Sequence, residues 1–100
     1  MQFDLYRLPR RPSILVVDIQ SRLLDQLKTR VVIPLVPRDQ APQKLVGMLN
    51  PCLRIDDREF VLMPQMIASM PVSELAQPIG SAIGCRDDIV RAIDTVISGL

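Results

Sequence analysis

The chain contains no histidine and no tryptophan, and its aromatic residues are two phenylalanines and one tyrosine. Without histidine there is no Ser-His-Asp or Cys-His catalytic arrangement and no His-containing zinc site. The two cysteines, Cys52 and Cys85, form no CxxC pair, and two thiols do not close a tetrahedral metal site. They read as small core hydrophobes in a reducing compartment, with no metal or other cofactor expected. Long apolar runs are also missing: no segment approaches the roughly eighteen residues of a membrane helix. The opening MQFDLYRLPRR mixes acid and base and lacks the apolar stretch of an export signal. A cytoplasmic protein without a membrane partner is the expectation. Charge of one sign is lacking too, since 12 basic and 11 acidic residues leave +1, too little for a basic field that grips duplex DNA.

What is present is apolar content, 48% of 100 residues with mean hydropathy +0.23. That length suits one domain, residues 1–100, with one core. A small domain has much surface for its volume, so part of this apolar content is expected in an interface, a homodimer seam first. Nine prolines spread along the chain punctuate short elements. Residues 2–7 alternate polar and apolar and predict a strand with one wet face; residues 14–19 are a continuous β-branched run, as in a strand covered on both faces. A two-proline loop between them suits a hairpin. Residues 30–36 predict a third strand, in which Pro34 implies an edge position or a bulge. Residues 51–55 and 60–63 predict a hairpin around Asp56-Asp57-Arg58-Glu59, and residues 37–50 a surface excursion. From Arg86 to Leu100 the period becomes helical, with Ile89, Ile93, Val96, Ile97 and Leu100 on one side, Asp87 and Asp88 in the first turn and Gly99 as terminator. The fold class is therefore mainly β (α+β), a small curled antiparallel barrel of about five main strands with one C-terminal helix.

Several clusters carry alternatives. Asp56, Asp57 and Glu59 are a carboxylate group that suits a turn better than a magnesium site. Arg7, Arg10 and Arg11 gather at the first turn with Asp4 nearby and no interleaved aromatic, which favours a solvated face or an acidic protein partner over nucleic acid. Met48, Met63, Met66 and Met70 suit an irregular core or a dimer face. In Gln20-Ser21-Arg22-Leu23-Leu24-Asp25-Gln26-Leu27, two adjacent leucines cannot both turn inward, so they are either covered by other parts of the chain or offered to a partner. The apolar tail Ile97-Ser98-Gly99-Leu100 poses the same choice.

MQF at the start, VVDIQSRLLD at 16–25, RVVIPL at 30–35, IDDREFVLMPQMIASMPVSEL at 55–75 and the closing IVRAIDTVISGL resemble, in joint register, the CcdB family of plasmid-addiction toxins. The resemblance implies an SH3-like barrel assembled as a homodimer, with no enzymatic activity and no cofactor. It implies binding to the A subunit of DNA gyrase, trapping the complex of gyrase with cleaved DNA. The gyrase-contacting positions of the family match Leu23, Leu24, Asp94, Ile97, Ser98, Gly99 and Leu100. Ser98 departs from the family pattern, which has Trp there. A CcdA-like antitoxin is implied as second partner, its disordered arm folding onto the toxin at residues 9–13 and 40–49, among them Pro9, Arg10, Arg11 and Gln43. DNA is reached only indirectly, through the antitoxin, when the pair represses its own operon. Two alternatives accompany this reading. One is a MazF-like endoribonuclease on the same barrel, with Arg30 or Asp18 as catalytic groups; the other is a non-toxic paralogue that only binds antitoxin.

Overall fold

The computed structural model describes residues 1–45, 47 and 49–99; Met48 and Leu100, both singled out from the sequence, lie outside the described residues. Seven strands form one curled antiparallel sheet in the order β4-β5-β3-β2-β1-β7, with β6 pairing β3 off this path. They are β1 Asp4–Leu8, β2 Arg11–Asp18, β3 Thr29–Pro37, β4 Cys52–Ile55, β5 Arg58–Leu62, β6 Ala68–Pro71 and β7 Gly80–Ser81. Helix α1, Arg86–Ser98, follows. This is the mostly β small barrel with a C-terminal helix that the sequence predicts, with two short strands, β6 and β7, added to the expected five.

Strands β1 to β3 are covered on both faces, because alternate side chains enter different clusters. Leu5, Leu15, Val17, Ile33 and Leu35 join Phe3, Leu53, Phe60, Leu62, Ala82, Ile89 and Ala92 beneath α1, while Tyr6, Val16 and Val32 meet Leu75 on the opposite face. The one-wet-face expectation for the first strand is thereby corrected: Tyr6, at 8% exposure, is closed over by Leu75 and its neighbours. Pro34 sits in the central strand β3, not at a sheet edge. It lies at a seam, where β3 changes partner from β5 at residues 35–37 to β6 at residues 29–32. Its carbonyl accepts from the Met63 amide at 3.0 Å. Its nitrogen faces the same side, where β5 gives way to the 3-10 turn Pro64–Met66 and no ladder donor is needed.

The β1–β2 hairpin closes tightly, with Leu8 opposite Arg11 and Pro9-Arg10 as the loop. In the β4–β5 hairpin Ile55 pairs with Arg58, and both loop residues, Asp56 and Asp57, have positive φ (50° and 65°), the requirement of a type I′ turn. The carboxylates that resembled a metal cluster thus serve a turn, aspartate being among the few residues that tolerate this conformation. Helix α1 is held by fully buried Ile89 and Ala92; burying an isoleucine contributes about 1.5–3 kcal/mol. Asp87 and Asp88 occupy its first turn, and Gly99 (φ 72°) ends it in a left-handed cap whose amide donates to the Thr95 carbonyl at 3.0 Å.

Of the two cysteines expected in the core, Cys85 packs against the larger cluster and Cys52 does not. Cys52 is exposed on β4 and accepts from the Arg38 guanidinium at 3.4 Å, and Cys85 is half-buried. On the edge strand β4 the alternation sends Leu53 inward and leaves Cys52 outward. Of the methionines, Met63 is buried, Met70 packs on the smaller cluster and Met66 is 55% exposed.

Candidate functional site

Two surfaces gather the residues that the sequence singles out. The first begins where β2 ends. Residues after Gln20 leave the sheet and make a 3-10 turn, Arg22–Leu24, whose start is capped by the Ser21 hydroxyl accepting from the Leu23 amide at 3.2 Å. The turn points its leucines outward: Leu23 is 92% exposed, Leu24 48% and the neighbouring Leu27 50%. Of leucines covered by the chain and leucines offered outward, the structure has them outward. Leu27 extends the apolar group by one residue, a signal present in the sequence as the third leucine of RLLDQL.

At the other end of the chain, Ile97 is 79% exposed, and Asp94, Ser98 and Gly99 are exposed around it. The Ser98 hydroxyl donates back to the Asp94 carbonyl at 2.7 Å, a helix-terminal bond that turns the side chain onto its own backbone. The turn bearing Leu23 and the end of α1 are separate elements. Ile19, at the root of the turn, and Ile93, on α1, both border the larger core cluster. Val96, also on the last turns of the helix, is 40% exposed.

A buried polar network underlies the first surface. Asp18, fully buried, accepts from the Gln20 amide at 2.9 Å and from the Met1 ammonium at 3.2 Å, and its carboxylate lies 3.6 Å from the Arg30 guanidinium. Burial alone would lower the pKa of the Met1 amine; its hydrogen bonds to Asp18 and Asp4 and their negative charges outweigh that and raise it. Arg30 and Asp18, offered from the sequence as catalytic groups of a ribonuclease, are therefore engaged with each other and with backbone. None of the described buried side-chain polar atoms lacks a hydrogen-bond partner.

The second surface surrounds the β1–β2 turn. Leu8, Pro9, Arg10 and Arg11 from that turn meet Met70, Ser73 and Glu74 to line an open groove of about 800 Å³. A neighbouring groove of about 540 Å³ shares Leu8 and Arg11 and adds Ile14, Pro34, Val36, Pro42, Met63 and Met66 among others. Arg10 and Arg11 are exposed and form no ion pair among the described residues, whereas Arg7 donates to the Pro12 carbonyl at 3.0 Å. Gln43 is exposed but lines neither groove; from the same excursion Gln40 accepts from the Ser13 hydroxyl at 3.3 Å. Leu8, Met70 and Glu74 were not legible as groove residues, because they come together only through the pairing of β1 with β2 and of β6 with β3.

Among the described residues no three His, Cys, Asp or Glu side chains are placed to hold a metal, and no helix is long and apolar enough to cross a membrane. What the two surfaces offer is protein-binding chemistry: protruding aliphatic side chains at one, an apolar floor with free guanidinium groups at the other. Compared with known families, residues 2–99 match the family model described as CcdB protein. The match spans nearly the whole chain and coincides with the barrel, the exposed leucine turn and the terminal helix: the chain belongs to the CcdB family of toxin–antitoxin toxins.

Proposed function

We propose that this chain is a non-enzymatic, cytoplasmic poison of DNA gyrase: a homodimer that binds the A subunit and traps the gyrase–cleaved DNA complex, and that a CcdA-like antitoxin neutralises. The observation that carries the reading is the solvent exposure of Leu23, Leu24 and Ile97, at positions the family resemblance assigns to gyrase. Aliphatic side chains held outward on a capped turn and a helix end give contact area with little ordering cost on binding. A wedge of this kind acts only through higher affinity for the cleaved state than for the resealed one, and a two-fold toxin suits a two-fold enzyme. Arg10 and Arg11 over the apolar floor of Leu8 and Met70 suit an acidic, amphipathic antitoxin arm that folds as it binds.

The test is direct. Purified protein incubated with supercoiled plasmid, gyrase and ATP is expected to yield linear DNA after a denaturant quench. No linear product with the cognate gyrase at micromolar protein sinks the reading.

One observation favours a second reading. With Ser98 in place of the family Trp and its hydroxyl spent on Asp94, the helix end lacks an aromatic anchor, as in a paralogue that binds antitoxin but poisons weakly. Normal antitoxin affinity with no linear product is its signature.

A further inference from the structure

We infer that Arg30 is a positioning residue for the leucine turn: its guanidinium staples the segment 22–28 to the sheet and so fixes how Leu23 and Leu24 are presented, an inference that rests on the gyrase reading above. Arg30 is the second residue of β3, paired with Met70 of β6, and only 13% of its side chain is exposed. One nitrogen, Nη1, donates to the carbonyls of Leu27 at 2.7 Å and Thr29 at 3.0 Å; the other, Nη2, donates to the Asp25 carbonyl at 2.9 Å. Its Nε lies toward the fully buried Asp18, which fixes the plane of the fork. From the other side Gln20 closes the segment, its amide donating to the Leu24 carbonyl at 2.9 Å while its carbonyl oxygen accepts from the Val31 amide at 3.1 Å.

These bonds replace packing. No residue of the turn Arg22–Leu24 is buried and Leu23 is 92% exposed, so apolar contacts supply little of its order; its own backbone bonds, from the Leu24, Asp25 and Leu27 amides, close the turn but do not tie it to the sheet. A segment whose apolar side chains face water keeps a single shape only if its backbone is tied elsewhere. Arginine suits the task because three carbonyls and a carboxylate in different directions need a planar fork; a lysine ammonium has its donors at one point and does not span them. A pre-ordered turn spares the binding step the cost of fixing it, and that saving appears as affinity.

The experiment compares the full-length chain with Arg30→Lys, Leu23→Ala and the double variant. Arg30→Lys keeps a cation near Asp18, so the fold is expected to survive. Amide exchange at Leu24, Asp25 and Leu27 is expected to speed up by about tenfold or more while the β2–β3 amides keep their protection. Affinity for the gyrase A subunit is expected to fall by about tenfold, and Leu23→Ala to cost less in the Arg30→Lys background than alone, a coupling that a purely global loss of stability does not produce. Should Arg30→Lys fail to fold, the guanidinium of the unsubstituted protein is read directly: its Nη protons, bonded to three carbonyls, are expected to give resolved, slowly exchanging NMR signals, and signals averaged by free rotation overturn the staple. Unchanged exchange in the turn, or strict additivity of the two substitutions, overturns the positioning role. If the unsubstituted protein does not bind the A subunit, the gyrase reading fails, and the exchange measurement alone still decides whether Arg30 orders the turn.

Discussion

Ser98 and Asp94 are joined by a 2.7 Å hydrogen bond from side-chain hydroxyl to backbone carbonyl, one helical turn apart at the exposed end of α1. The last ladder bond of α1 runs from the Gly99 amide to the Thr95 carbonyl, so Asp94 lies within the ladder and the serine bond is an additional one to its carbonyl; it leaves the tail with Ile97 as its one large described side chain. Ser98→Trp is expected to tighten binding to the gyrase A subunit by about tenfold or more, an aromatic anchor being the commonest source of interface energy, with more linear DNA in the cleavage assay. Melting temperature is expected to stay within a few degrees, as the site is exposed. Unaltered affinity shows that the tail is not the contact.

Leu23 and Ile97 support a complementary prediction. Because both are largely in water in the single chain, Leu23→Asp and Ile97→Asp are expected to change stability by no more than about 0.5 kcal/mol, or some 4 °C in melting temperature for a chain of this size. Binding to the A subunit is expected to drop by a hundredfold or so, since each variant desolvates a carboxylate in the contact. Retained gyrase binding in both variants removes the candidate site; a large fall in melting temperature assigns these residues to the dimer seam.

Much of this arrangement is legible in the sequence, and the reasons differ from residue to residue. The helix is readable because Ile89, Ile93, Val96 and Ile97 recur at helical spacing and Gly99 can take φ 72°, although of these only Ile89 is fully buried and Ala92, which carries no such signal, is buried with it. The β4–β5 hairpin was readable because Asp56 and Asp57 are among the few residues that tolerate a type I′ turn. Strand β6 was not: Ala68–Pro71 is largely exposed and contains a proline, so it is specified by its partner β3 rather than by its own pattern. Phe3 in the left-handed region (φ 69°) carries no local signal at all; burial of its ring in the main cluster holds it there. Leu23 and Leu24 were visible as a surplus of apolar residues, but the groups that order them, Asp18, Gln20 and Arg30, meet only after β2 and β3 pair.

Asp18 distinguishes scaffold from catalyst. It is fully buried and tied to Met1, Gln20 and Arg30, and removing one partner of a buried charge network typically costs about 3–5 kcal/mol. Asp18→Ala is expected to lower the melting temperature by roughly 12 °C or more. A ribonuclease on this barrel predicts the opposite pattern, a folded and stable variant that no longer cleaves single-stranded RNA, and calorimetry beside an RNA-cleavage assay separates the two.

Arg10 and Arg11 flank the groove floored by Leu8 and Met70. Arg10→Glu with Arg11→Glu is expected to weaken an acidic antitoxin arm by about tenfold at low salt, with the difference shrinking as ionic strength approaches and passes the physiological range, where screening acts within about 8 Å. Gyrase binding is expected to be unaffected, because the leucine turn and helix end are not part of this groove. Equal affinity of the variant and the unsubstituted protein for the arm, measured by titration calorimetry at several salt concentrations, places the antitoxin elsewhere.

Alkaline pH is expected to destabilise the fold in steps. Three groups have pKa values raised on folding: the Met1 amine above its ordinary 8.0, where ion pairing with Asp18 and Asp4 outweighs burial; the Cys85 thiol above 9.0, through burial and then the charge of Asp88; and the Tyr6 hydroxyl above 10.0, through burial and then the charges of Asp4 and Asp18. For each, both states are protonated below the unfolded pKa and the stabilisation is complete there. Above it the unfolded chain releases its proton first, so the unfolded state binds fewer protons and stability falls with rising pH until the folded pKa is passed. Melting temperature is thus expected to be level up to about pH 7.5 and to decline between about pH 8 and 11. Cys85→Ser is expected to remove the middle part of the decline and Tyr6→Phe the uppermost part. A melting temperature that stays level or rises from pH 8 to 10.5 contradicts the assignment, because every one of the three shifts has the same sign.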